Sequence, residues 1–250
     1  MSSEYRLITI PPSHYCEKAR WALEAAGIPY REEGHPPLFH RLATKRAGGE
    51  RSTPVLVAGD WVLPDSTDIL EFIHLEHAEN WRPYPLDSQH RVEAEELEEL
   101  FDTRLGPHTR RLAYYHLLQH NRLFFDACLA GVGGFESTLF KGMAPLIKKF
   151  MRLGMKIDDA GAERSLGYIR TVFENVDTLL SDGRSFLVGK NFGAADLTFA
   201  ALAAPVLLPK NYGSPLPPLD EVPADLLTQV EEFRSSPAGT FALRLYRDHR

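Results

Sequence analysis

The chain has 250 residues, 44% of them hydrophobic and 25% charged, which suits one large or two ordinary folded domains and excludes a disordered protein. A formal net charge of −6 gives no general footprint for nucleic acid or an anionic membrane. The two cysteines, Cys16 and Cys128, cannot build a disulfide framework, so a reducing, cytoplasmic setting is expected.

The N-terminus lacks a long apolar run after a basic start, so no secretory signal is expected. The most apolar stretch, 199–208, is far shorter than the roughly 20 residues of a membrane span and contains Pro205.

In chain order, residues 5–10 read as a strand that breaks at Pro11 and Pro12. A helix follows over 17–26, with Ala19, Ala22, Leu23 and Ala26 at i, i+3, i+4 and i+7; Gly27 can end it in a left-handed conformation. Residues 28–33 suit a second strand, and 38–51 hold a short helix at most. Val55-Leu56-Val57, directly after Pro54, reads as a strand, paired through the turn at 58–60 with Trp61-Val62-Leu63. Asp65 and Ser66 suit the cap of a helix over 67–77.

The segment 80–89, with Pro83 and Pro85, reads as a linker. Beyond it only helical periods appear: one helix rich in glutamate from Gln89, a long one over 112–130, a basic stretch over 139–157 interrupted by Gly142, Pro145 and Gly154, and a helix over 162–180. Residues 196–208 are apolar nearly all round and belong in the middle of a bundle, and a last helix starts near Ala224. The division is therefore 1–79, an α/β unit of order βαβ-α-ββα, a linker, and 90–250, an all-α unit.

Chemistry concentrates at Ser13-His14-Tyr15-Cys16. The spacing is that of Cys-x-x-Cys thiol–disulfide proteins with serine at the first position, and it falls where open backbone N–H groups and the helix dipole favour a negative charge. Three motifs in order, Ser-His-Tyr-Cys-Glu-Lys-Ala-Arg-Trp-Ala-Leu, Ser-Thr-Pro-Val-Leu and Asp-Ser-Thr-Asp-Ile-Leu, precede an all-helical half. In this arrangement the whole chain resembles the cytosolic glutathione transferase superfamily, a thioredoxin-like domain followed by a helical one.

The resemblance implies a set of roles. Pro54 would follow a cis bond, and the backbone of Thr53 would pair with the cysteinyl part of glutathione. Asp65 and Ser66 would hold the γ-glutamyl end. Ser13 would donate a hydrogen bond to the glutathione sulfur, favouring the thiolate that attacks a hydrophobic electrophile. The helical unit would supply the apolar half of the site. Glutathione is then the co-substrate, no metal is needed, and a homodimer without nucleic-acid or membrane partners is expected. Phe192-Gly193-Ala194-Ala195-Asp196 resembles the family's capping box, with glycine where serine or threonine is usual.

Each residue also has a plainer reading. Ser13 and the Asp65-Ser66 pair are good helix caps, Pro54 suits an edge strand, and Cys16 suits a packed small hydrophobe. Tyr15 could replace Ser13 as donor, and Lys45 could meet the glycyl carboxylate, although a solvated lysine fits as well. His116 and His120, at i and i+4, lack a third metal ligand, and Tyr114, Tyr115, Leu118, Phe124 and Phe125 suit either a pocket wall or a core stripe. Two rivals share the fold: a glutathione-dependent peroxidase or disulfide reductase with a reactive Cys16, and a non-catalytic protein that binds glutathione or an apolar ligand.

Overall fold

The computed structural model describes residues 5–250. β1 (Tyr5–Thr9), α1 (His14–Ala25), β2 (Tyr30–Gly34), α2 (His40–Arg46), β3 (Val55–Ala58), β4 (Trp61–Leu63) and α3 (Ser66–Glu76) follow in the expected order. The sheet runs β2-β1-β3-β4, with β1 parallel to β2 and antiparallel to β3, and β3 antiparallel to β4. α1 begins earlier than its apolar period indicates because Ser13 caps it, its Oγ accepting from the Cys16 N–H at 3.4 Å. Gly27, at φ +69°, ends it and turns the chain toward β2.

The helical unit holds α4 (Ser88–Leu100), a π-helical turn (Phe101–Leu105), α5 (Gly106–Leu117), α6 (Asn121–Leu129), α7 (Gly134–Met155), α8 (Asp159–Leu180), α9 (Ala194–Leu207), α10 (Ala224–Ser235) and α11 (Pro237–His249). One buried apolar cluster runs from Leu7 and Leu56 through Trp21 to Phe101, Phe173 and Phe199, so the two units share a core. α9 lies in its middle, as its apolar composition requires.

The structure corrects three helical expectations. The single helix expected over 112–130 is interrupted at Leu118–His120, between α5 and α6. Lys148 donates there to the Leu118 carbonyl at 3.0 Å and to the Asn121 side chain at 2.6 Å. It is therefore an internal clamp on an open helix end rather than the surface lysine its charge suggests. The basic stretch over 139–157 is one continuous helix despite Pro145, anchored by Phe140, Ile147 and Met151 against Leu118 and Phe124. The last helix divides at Ser236–Pro237, where proline cannot continue α10 and Ser236 caps α11 by accepting from the Gly239 N–H.

The unusual glycine before α9 also finds its reason. The Asp196 carboxylate accepts from the Gly193 N–H at 2.9 Å and from the Leu187 N–H at 2.7 Å, so the reciprocal half of the cap is made. A Cβ at position 193 would stand 3.0 Å from the Pro83 carbonyl oxygen, which already accepts from the Ala194 N–H at 2.7 Å. A serine or threonine there would need the connection between the units to give by a few tenths of an ångström.

Candidate functional site

A cleft of about 380 Å³ opens between the two units, within the size range of small-molecule sites. Ser13, at the start of α1, and Ser52 and Thr53, ahead of β3, line its polar end. The Thr53–Pro54 peptide is cis. Because the Ser13 oxygen accepts from the Cys16 N–H, its own proton remains available to a group in the cleft. On the opposite wall α5 presents Arg110, Ala113, Tyr114 and Leu117, spaced i, i+3, i+4 and i+7, and Met151, Pro205 and Leu208 extend the apolar surface.

Other residues expected at the site are placed differently. Tyr15 lines the cleft, but its hydroxyl donates to the Asp102 carbonyl at 2.7 Å, and burial pushes its pKa well above the ordinary value. Cys16 is fully enclosed; burial raises its thiol pKa against the lowering influence of Arg20. Lys45 is exposed and lies outside the cleft lining, whereas Arg41 of α2 and Arg51 contribute to it. Asp65 caps α3 by accepting from the Thr67 N–H at 2.9 Å, and its charge acts on Tyr15 and Asp102. Ser66 is fully buried, with no partner for its hydroxyl among the described residues, a situation that costs about 1–3 kcal/mol. The cleft thus gathers Ser13, Tyr15 and Thr53, while Cys16, Lys45, Pro54, Asp65 and Ser66 lie outside its lining.

The junction beside Ser13 rests on residues that sequence reasoning passed over. His14 is buried, and its Nε2 meets the Gly106 carbonyl at 2.8 Å. Burial and the neighbouring Arg110 charge hold its pKa down to about 3, so the ring is neutral and Nε2–H is the donor. Gly106 follows the π-helical turn, and a Cβ there would collide with the Tyr15 hydroxyl; only glycine lets α5 approach α1 so closely.

Lys18 is fully buried, its ammonium 2.7 Å from both Glu98 and Asp102, and Glu98 also accepts from Thr67 and Tyr84. Burial alone would lower the Lys18 pKa, but the two carboxylates outweigh it and hold it above the ordinary lysine value. His116 is buried against Asp225 while His120 is exposed at the start of α6, so the two rings sit in different environments. No cluster of three or more His, Cys, Asp or Glu suited to a metal occurs among the described residues, and none of the described helices is long and apolar enough to cross a membrane.

Residues 7–81 match the family model described as glutathione S-transferase, N-terminal domain. The structure is similar to a glutathione S-transferase of Ceriporiopsis subvermispora solved in complex with glutathione (TM-score 0.68, 14% identity, covering 99% of this chain and 98% of that one). It is also similar to glutathione transferase GSTFuA3 of Phanerochaete chrysosporium (TM-score 0.67, 15% identity, covering 100% and 98%). A third similar structure, a glutathione S-transferase of Methylobacterium radiotolerans in complex with glutathione sulfonate, has a TM-score of 0.56 and 17% identity, covering 96% and 95%. No curated protein matches the chain. The family match is confined to residues 7–81, and the chain as a whole has the glutathione transferase fold, a thioredoxin-like unit followed by a helical one.

Proposed function

We propose that this protein binds glutathione at the polar end of the cleft and transfers it to a hydrophobic electrophile. The observation that carries the reading is the division of the cleft: Ser13 and Thr53 at one end, an apolar wall from the helical unit facing them. Glutathione lies with its cysteinyl backbone along Thr53 and its sulfur at Ser13. The γ-glutamyl ammonium points toward the acidic region of Asp65 and Asp102, and Arg41 or Arg51 meets the glycyl carboxylate. The Ser13 O–H donates to the sulfur and favours the thiolate, the helix start adds its partial positive charge, and the thiolate attacks the electrophile held against Tyr114 and Leu117. A cytoplasmic homodimer is part of this reading.

The enclosed, protonated Cys16 speaks against the reductase alternative, since the thiolate is the reactive form. Replacement of Ser13 tests the proposal. Ser13→Ala should lower kcat/KM toward a generic electrophile about 10- to 100-fold, the worth of one hydrogen bond to a charged group. Ser13→Thr, which keeps both hydroxyl and cap, should recover much of it. A Ser13→Ala variant as fast as the parent would remove Ser13 from the chemistry, and activity abolished by Cys16→Ser would return the reductase reading.

A further inference from the structure

The cleft is unusual in its charge. The protein carries a net −6, yet Arg41, Arg51 and Arg110 line the cleft and no aspartate or glutamate does. Arg41 and Arg51 belong to the thioredoxin-like unit and stand on the wall already assigned to glutathione. Arg110 stands on the other wall, on the same face of α5 as Ala113, Tyr114 and Leu117.

Its guanidinium forms no hydrogen bond or ion pair among the described residues, and its Nε is buried without a partner. The guanidinium carbon lies 6.0 Å from the centre of the ring of Tyr15, two residues after Ser13. The Tyr114 hydroxyl, one turn further along α5, likewise has no hydrogen-bond partner among the described residues. Arginine presents a planar fork of donors suited to a carboxylate, and a cation with no internal counter-charge in a largely apolar cleft is answered best by an anion from outside.

We infer that the second substrate is a hydrophobic electrophile carrying a carboxylate, held by Arg110 with the Tyr114 hydroxyl as a second donor. The inference rests on the glutathione reading above. Arg110 sets selectivity for the acid; it neither forms nor breaks a bond.

The test uses the whole protein with saturating glutathione and a matched pair of probes, ethacrynic acid and its methyl ester. Both carry the same enone: the glutathione thiolate adds to the terminal alkene carbon, the resulting enolate takes up one proton, and nothing leaves. Arg110→Gln should reduce the ratio of kcat/KM for acid over ester about 10-fold, chiefly through KM of the acid, because one charge-assisted contact is lost. Arg110→Lys should restore part of the ratio.

An unchanged ratio in Arg110→Gln would overturn the inference, as would an equal fall for both probes, which would make Arg110 a support for the thiolate. If the parent turns over neither probe, the transferase reading fails on its own. Calorimetry of ethacrynate alone then decides the inference: weaker binding to Arg110→Gln upholds it, and equal binding overturns it. Arg110 makes no hydrogen bond among the described residues, so the variant breaks none of those on folding.

Discussion

At the seam between α1 and the helical unit, Lys18 is fully enclosed and meets Glu98 and Asp102, and Glu17, equally enclosed, meets Arg20, Arg250 and the Gly213 N–H. In the adjoining cleft, Arg41, Arg51 and Arg110 meet no carboxylate among the described residues. Tyr15 touches both regions, its ring in the cleft and its hydroxyl on the Asp102 carbonyl. The difference teaches where structure ends and recognition begins. A buried charge that serves folding is matched from within, because an unmatched one is costly; a cation left open in a cleft is available to something that arrives later.

The strongest way to break that contrast is to make the seam resemble the cleft. Lys18→Met would leave Glu98 and Asp102 enclosed without a counter-charge, at an expected cost of about 3–5 kcal/mol in chemical denaturation. Adding Glu98→Gln should recover part of that loss, because the two residues belong to one network.

His14 gives a finer probe, since burial and, after it, the open charge of Arg110 hold it neutral. Its folded pKa, about 3, lies below the ordinary 6.5, so the folded state binds fewer protons than the unfolded one between these values. The stability it contributes is present above pH 6.5 and is lost as pH falls toward 3. The unfolding free energy of His14→Gln should therefore decline less than that of the parent across that window, by up to about 4–5 kcal/mol.

The smallest effect belongs at the surface. Arg170 and Glu232 pair at 2.6 Å with both side chains about half exposed, and Arg170→Ala should cost no more than about 1 kcal/mol in the same assay. A loss as large as that of Lys18→Met would show that burial is not what separates the two classes.

Much of the α/β unit was legible in the residues. Prolines end β1 and precede β3, Ser13 and Asp65 cap helices, and period-two and period-3.6 patterns separate strand from helix, because these are local effects. The Asp196 cap was legible too, but its glycine was not, since the reason is a carbonyl 110 positions earlier. Lys148 reads as a surface lysine, and nothing local marks Lys18 as enclosed, because sequence shows a charge and not the carboxylates or carbonyls that a distant segment brings to it. The break at Leu118–His120 escaped for the same cause: the apolar period runs through it, and its clamp lies on another helix.

Among the residues lining the cleft, Ser13 and Thr53 stood out by their motifs, whereas Arg110 did not. A signal for it did exist, a lone arginine on a helical stripe otherwise made of Ala113, Tyr114 and Leu117. Reading it required knowing that this stripe faces a cleft and not the core.

The Lys18 network draws on α1, Thr67 of α3, Tyr84 of the connecting segment, Glu98 of α4 and Asp102 of the π-helical turn. Any cut between Lys18 and Asp102, the boundary between the two units included, separates these partners. Swapping either half for that of a distant relative would strand an ammonium or a carboxylate inside the hybrid, so recombination of such proteins should succeed only when the matching counter-ions travel as a set.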